Sequence, residues 1–285
     1  MGGLPFDLLY AKWFYQDQSI LAGLRETSWR KNCTGWCSMS NSIDGLSFSL
    51  FFARDFEGPE IASEIVRVFL SSNRSVRPVK YGVFGPDEDI VDAASVADTL
   101  MNIEYPDGRS RSGSLILERN RGCGYQVQWN KSNQPGFSFI GGHLMFSSYG
   151  KHGGALDGFI DLVKDLVVQL SPVYGEIRSM AAKGWDTPIN LLLRLPDVPP
   201  VSIYGKEYIE FFGHEKIEGA PFIKREKVGS CYWLVASEIL EEDVPSAVRS
   251  SIRSFLGEKS FMADGKWKYS DGNAPNFDLS FSVCK

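Results

Sequence analysis

Hydrophobic and polar residues alternate along three neighbouring segments in the middle of the chain. Ser114–Glu118 reads SLILE, Tyr125, Val127 and Trp129 then alternate with polar residues, and Phe137–Phe146 continues the pattern after a Pro-Gly turn. A period of two is typical of β-strands, because their side chains point alternately to the two faces of a sheet. The three segments therefore predict an antiparallel meander with one solvated face.

Three further strands are predicted outside the meander. Leu46–Ala53 reads LSFSLFFA, Tyr232–Ala236 carries Trp233 in its interior, and Leu279–Cys284 closes the chain. Their β-branched and aromatic residues suit a pleated, half-buried surface. We expect the last of them to add to a sheet edge.

Four segments repeat their apolar residues every three to four positions, as amphipathic helices do. One begins at Gly58-Pro59, a second covers Pro86–Met101, a third covers Leu156–Leu170, and the last follows Asp243 and ends at Gly257. The third has the broadest apolar face, which must be buried against a sheet to stabilise the fold. Proline at the start and glycine at the end fit the known preferences of helix termini.

These elements predict an α+β fold, in which amphipathic helices pack on one or more antiparallel sheets. We divide the chain into an N-terminal α+β region, residues 1–110, and a C-terminal α+β region, residues 111–285, and expect the two to pack as one compact unit. Strands, a helix, a loop-rich stretch, a strand and a helix recur loosely in both halves. That order leaves open whether the protein contains two similar α+β halves.

Composition narrows the classes of partner. The 285 residues are 43% hydrophobic and 23% charged, which favours a globular fold over disorder. The net charge of −5 disfavours nucleic acid, whose binding depends on Lys and Arg, and favours a basic protein surface. Seven Trp and 13% aromatic residues are enough to supply both a core and a contact surface.

Localisation is predicted from two absences in the sequence. Met1–Tyr15 has neither the basic start nor the apolar core of a signal peptide, and no apolar run approaches the roughly 20 residues that span a bilayer. Five scattered cysteines fit a reduced protein. We therefore expect a cytoplasmic protein that does not bind membranes.

Motifs that carry chemistry are missing from the sequence. Cys33 and Cys37 have no second pair to complete a zinc site, and the three histidines stand apart beside glycines in predicted loops or strand ends. Nucleophile elbows and glycine-rich phosphate loops are absent as well. We predict no metal, no cofactor and no catalysis. A hydrolase with scattered carboxylates, or with Cys123 or Cys231 beside a histidine, stays open as the alternative.

Acidic residues form two short runs, each near a predicted helix start, where carboxylates favour the helix dipole. We expect the charge beyond that need to bind a partner rather than a substrate. The predicted partner-binding residues are Asp87, Glu88, Asp89, Asp92, Glu241, Glu242 and Asp243.

The C-terminal region resembles a known protein family. The segments that carry the resemblance are Pro172–Glu176, Pro188–Gly213, Ala220-Pro221, the strand around Trp233 and the helix Asp243–Gly257. Their order, and the element Tyr-Gly-x-x-Tyr-x-x-x-Phe-Gly at Tyr204–Gly213, resemble the immunity proteins of bacterial polymorphic and type VI secretion toxin systems, and immunity protein family 52 most. The resemblance covers about residues 110 to 260 and includes no catalytic residue.

The resemblance implies that the protein neutralises a cognate secreted toxin by direct contact. Such toxins are often nucleases that act in the cytosol and present a basic surface. Within the shared element, Tyr204, Tyr208 and Phe212 recur every four residues and predict one helical face, which core packing alone explains. A scaffold component of a secretion system is a third hypothesis. Oligomeric state is not predicted.

Overall fold

A computed structural model of the chain describes residues 44–101, 103–104, 111–132, 134–149, 154–182, 189–262 and 272–283. Cys33, Cys37 and His152 lie outside these described residues. In chain order the elements are β1 (Gly45–Phe52), α1 (Pro59–Ser71), β2 (Lys80–Gly82), β3 (Glu88–Asp89), α2 (Ala93–Leu100), β4 (Ile103–Glu104), β5 (Arg111–Asn120), β6 (Cys123–Lys131), β7 (Ser138–Met145), α3 (Phe146–Tyr149), α4 (Gly154–Leu170), β8 (Tyr174–Ser179), β9 (Val201–Tyr204), α5 (Lys206–Phe212), α6 (His214–Gly219), β10 (Lys224–Val228), β11 (Cys231–Val235) and α7 (Ser246–Leu256), with short 3-10 turns at Glu258–Ser260 and Ser280–Ser282.

All eleven of these strands belong to one antiparallel sheet, which confirms the α+β fold. The strand order is β10-β11-β9-β8-β1-β7-β6-β5-β2-β3, and β4 pairs with β5 beside β2. Strand β1, from the predicted N-terminal region, lies between β7 and β8 of the predicted C-terminal region. The sheet therefore runs through the boundary that we placed at residue 110. None of the helices within the described ranges is both long enough and apolar enough to cross a bilayer.

The predicted meander is confirmed, but its solvated face is not. Strands β5, β6 and β7 pair in sequence, with Leu115 opposite Val127 and Val127 opposite Ile140. Ser114 and Gln126, which the alternation placed toward solvent, are buried. Alternating polarity shows which side chains share a face of the sheet, whereas the exposure of that face depends on what the rest of the fold packs against it.

Two apolar clusters lie on the two faces of the sheet. On the first face, α1, α2 and α4 cover the side chains of Phe48, Tyr125 and Val127, and α4 contributes Phe159 to the same cluster. On the second face, α5 and α7 cover Phe51, Tyr174 and their neighbours at the β10 end of the sheet. Each large apolar side chain buried in this way contributes about 1.5–3 kcal/mol before the entropy cost of ordering it.

The aromatic stripe of the shared element lies in the second cluster, but it does not form one helix. Tyr204 is the last residue of β9, and α5 begins only at Lys206. Gly205 separates them because a Cβ there would lie 2.0 Å from the carbonyl oxygen of Pro172. The rings of Tyr204 and Tyr208 still stack at 5.7 Å, and core packing accounts for them.

Two of the predicted elements are wrong. The helix expected over Pro86–Met101 is confined to α2, and Glu88–Asp89 forms β3 instead of leading that helix. Asp92 caps α2 by accepting a hydrogen bond from Ser95, so the residues before it are outside the helix. The last predicted strand is a 3-10 turn from which Val283 makes one bridge to Ser132.

Candidate protein-binding edge

Strands β2 and β3 form a hairpin at one end of the sheet. Lys80 faces Asp89 and Tyr81 faces Glu88, and β3 is the last strand in the order. The turn between them brings the backbone so close that a Cβ on residue 82 would lie 1.9 Å from the carbonyl oxygen of Gly85, and glycine at this position avoids that clash. The hairpin therefore presents the predicted acidic run along an outer edge of the sheet.

All four acidic residues of this run are exposed. Glu88 accepts a hydrogen bond from the hydroxyl of Tyr81 at 2.9 Å, which raises the pKa of Tyr81. Backbone and side-chain hydrogen bonds from Ser95, each 2.8 Å long, lower the pKa of Asp92. Asp87 and Asp89 form no ion pair with another described residue. Their charge is directed to solvent.

Two large apolar side chains stand on either side of β3 in the sequence. Phe84, in the β2–β3 turn, is 84% exposed, and Val91, just after β3, is 90% exposed. Exposed aromatic rings are frequent anchors of protein interfaces, so this hairpin is the candidate protein-binding site. Sequence reasoning missed both residues, because nothing in their local pattern distinguishes an exposed ring from a buried one. We call Phe84, Asp87, Glu88, Asp89, Val91 and Asp92 the acidic edge.

The second predicted run, Glu241, Glu242 and Asp243, is attached to the rest of the protein. The backbone carbonyl of Glu241 accepts a hydrogen bond from Ser179 Oγ at 2.7 Å, and a carboxylate oxygen of Asp243 lies 3.2 Å from Arg249 Nη1. Glu242 is exposed. This segment is therefore partly neutralised within the chain.

Asp197 forms a charged network with Arg249 and Arg253 of α7. Its two carboxylate oxygens lie 3.3 Å from Arg249 Nη1 and 3.4 Å from Arg253 Nη1. Arg253 also reaches Glu258 at 3.0 Å, and the backbone carbonyl of Asp197 accepts a hydrogen bond from Arg178 at 3.0 Å. The network fastens α7 to the sheet.

The two acidic runs do not form one surface. Ser179, which holds Glu241, lies on β8, six inter-strand spacings from β3. At the usual ~4.8 Å per spacing, the two runs are about 29 Å apart along the sheet. The seven predicted residues therefore divide into four on the acidic edge and three near α7, of which Asp243 pairs with Arg249.

The cysteines and histidines do not gather into a reactive site. Burial raises the pKa of Cys123 to about 12 and that of Cys231 to about 11. His143 lies inside β7 and not in a loop. Its Nε2 is inaccessible and has no hydrogen-bond partner, and burial lowers its pKa to about 4. His214 Nδ1 lies 3.1 Å from the hydroxyl of Tyr232. No group of three or more His, Cys, Asp or Glu within the described ranges could hold a metal ion.

Carboxylates do gather in one open cleft of about 690 Å³ beside the start of α1, which Asp55 and Glu57 line. Lys131 Nζ contacts both of these carboxylates and lies 2.9 Å from Asp55 Oδ2. Arg111 lies 2.9 Å from the other oxygen of Glu57. The two acids share Lys131, and Glu57 also pairs with Arg111, so both carboxylates are engaged in ion pairs within the fold.

No protein-family model matches the chain, and no curated protein is significantly similar to it.

Proposed function

We propose that the chain is a non-catalytic binding protein that neutralises a secreted antibacterial toxin in the cytoplasm by direct contact, as the immunity proteins that it resembles do. The observation that supports the proposal is the acidic edge, where four exposed carboxylates lie within a few residues of Phe84 and Val91, two of the most exposed apolar side chains of the described residues. A basic, nuclease-type surface is the partner that this composition fits best.

The parts of the edge have different roles in such a contact. Phe84 supplies the apolar anchor, since an aromatic ring that becomes buried at the centre of an interface contributes most of its affinity. Asp87 and Asp89 supply the field that attracts a basic partner, which acts mainly on the association rate. Glu88 and Asp92 are held by Tyr81 and Ser95, so their charges are already positioned before the partner arrives.

The alternative hydrolase receives less support. A cysteine nucleophile reacts as the thiolate, and the raised pKa values of Cys123 and Cys231 keep both thiols protonated at neutral pH. The ion-paired acids of the α1 cleft also lack the environment of a general acid. These observations favour binding over catalysis.

Coexpression with the toxin encoded beside the gene for this chain tests the proposal. The chain should restore growth and copurify with the toxin. Phe84→Ala should weaken the purified complex about 30-fold, equivalent to about 2 kcal/mol, because the anchor is lost. Binding is measured by titration calorimetry.

Phe255→Ala is the matched control. Phe255 is 45% exposed on α7, which packs near the β10 end of the sheet, whereas β3 lies at the other end. It should bind as the unmodified chain does. Equal loss of affinity in both variants, or no complex with the unmodified chain, would contradict the proposal.

A further inference from the structure

The opposite end of the sheet has the opposite charge. Strand β10 reads KREKV, and the side chains of Lys224, Arg225 and Lys227 are exposed. Among the described strands, β10 pairs only with β11. Glu226 lies 2.7 Å from Lys164 and 2.9 Å from Lys224, and Arg225 donates hydrogen bonds to the backbone carbonyls of Ala220 and Phe222. The strand keeps a net positive charge although two of its cations have partners within the chain. We call Ile223, Lys224, Arg225 and Lys227 the basic edge.

The charges of the two edges also match face by face. Tyr81 and Val228 belong to the apolar cluster on the first face, so Glu88, opposite Tyr81, and Lys224, four residues before Val228, lie on that face too. Asp89 and the pair Arg225 and Lys227 lie on the second face by the alternation of strand side chains. If β10 of one molecule continued the sheet beyond β3 of another, Glu88 would share a face with Lys224, and Asp89 would share a face with Arg225 and Lys227; Glu226, also on the first face, is paired with Lys164.

We propose that copies of this chain associate head to tail, with the basic edge of one molecule beside the acidic edge of the next. Two acidic edges repel each other, as do two basic edges, so the charges select the unlike pairing. Both edges also carry exposed apolar side chains, Ile223 at 56% beside β10 and Phe84 and Val91 beside β3, which an interface could bury. Because the interface joins two different surfaces, growth continues beyond a dimer unless a ring closes.

Lysines on an edge strand usually prevent edge-to-edge pairing of sheets. Here they prevent pairing of β10 with a second β10, but they attract an acidic strand. Exposed ion pairs are weak and are screened by salt. The association is therefore expected at low ionic strength and high protein concentration.

This inference goes beyond the proposed function and does not depend on it. A second copy and a toxin would occupy the same acidic edge, so self-association would compete with toxin binding. The two proposals are tested separately, because self-association needs no toxin.

Sedimentation equilibrium of the full chain measures the association. At roughly 20 mM NaCl, where the Debye length is about 20 Å, the average molar mass should rise with protein concentration. At roughly 500 mM NaCl, where it is about 4 Å, the mass should stay that of the monomer. A monomer at every concentration in low salt would overturn the proposal.

Charge reversal identifies the surfaces. Lys224→Glu/Lys227→Glu leaves two acidic edges and Asp87→Lys/Asp89→Lys leaves two basic edges, so each variant alone should be monomeric in low salt. An equimolar mixture of the two should associate again, because each acidic edge finds a basic one.

Lys206→Glu/Lys259→Glu is the matched control, since it makes the same change in net charge at exposed positions away from β10. It should associate as the unmodified chain does. Loss of association in this control, or a mixture that stays monomeric, would refute the assignment of the edges.

Discussion

The two acidic runs look alike in the sequence, yet the fold treats them differently. The run before α2 lies at a sheet edge, where Asp87 and Asp89 face solvent beside Phe84. In the run before α7, Asp243 forms an ion pair with Arg249 of that helix. The two runs therefore differ in how far the chain itself pairs their carboxylates.

The difference originates in the helix that follows each run. α7 carries Arg249 and Arg253 one turn apart, so both guanidinium groups reach the same carboxylate of Asp197. α2 reads AASVADTL and has no basic residue, so it uses only the Asp92 cap. Basic residues within a helix therefore decide whether an acid that precedes it forms an ion pair with that helix.

Removal of Asp197 should break the network and gives the largest expected effect. Asp197→Ala leaves Arg253, whose side chain is 15% exposed, without its sheet-side partner, and should lower the free energy of unfolding by about 2 kcal/mol. Urea denaturation measures the change. Asp89→Ala, which removes an acid from the free edge, should change it by less than about 0.5 kcal/mol. Equal losses of unfolding free energy in the two variants would show that the Asp197 network stabilises the fold no more than an exposed acid of the edge does.

Charge reversal at the acidic edge should act on binding and leave stability unchanged. Asp87→Lys/Asp89→Lys should slow association with the toxin about tenfold at low salt, and by less at physiological salt, because steering is screened. Stopped-flow fluorescence at two salt concentrations measures the rate.

Glu241→Lys/Glu242→Lys carries the same change in charge and is the comparison variant. It should slow association by less than about twofold, because the segment lies about 29 Å from β3. Equal slowing by both variants would show that net charge, and not the edge, controls the rate.

Much of the fold could be predicted from the sequence. The two-residue period of Tyr125–Trp129 and the helical period of Leu156–Leu170 are long enough to specify β6 and most of α4 without help from tertiary contacts. Glu88–Asp89 could not be recognised as a strand, since two charged residues have no period and pair with β2 only because the Gly82 turn returns the chain. The four-residue spacing of Tyr204, Tyr208 and Phe212 predicts a single helix, but Tyr204 ends β9 and only the other two lie in α5.

The candidate site was predictable in its charge but not in its shape. The acids of the edge are visible in the sequence, whereas the exposure of Phe84 depends on where the hairpin places it. The network around Asp197 has one signal in the sequence, since Arg249 and Arg253 are four residues apart and lie on one face of α7. The position of Asp197, far away in the sequence, had no such signal.

Asp92 gives the smallest expected effect, because it belongs to the acidic edge and also caps α2. Asp92→Ala removes the cap of α2 and should lower the melting temperature by about 2 °C, as measured by calorimetry. Asp92→Asn keeps a capping oxygen but removes the charge, so its loss at neutral pH should be smaller.

The pH dependence separates the charge from the cap. Hydrogen bonds from Ser95 lower the pKa of Asp92 in the folded state, so the folded protein holds this proton less tightly than the unfolded chain does. The charge therefore stabilises the fold above the unfolded pKa of about 3.9, and that contribution disappears as the pH falls through the lower folded pKa. The melting temperatures of the unmodified chain and Asp92→Asn should converge in that acidic range. A constant gap at all pH values would mean that the charge of Asp92 does not contribute to the stability of α2.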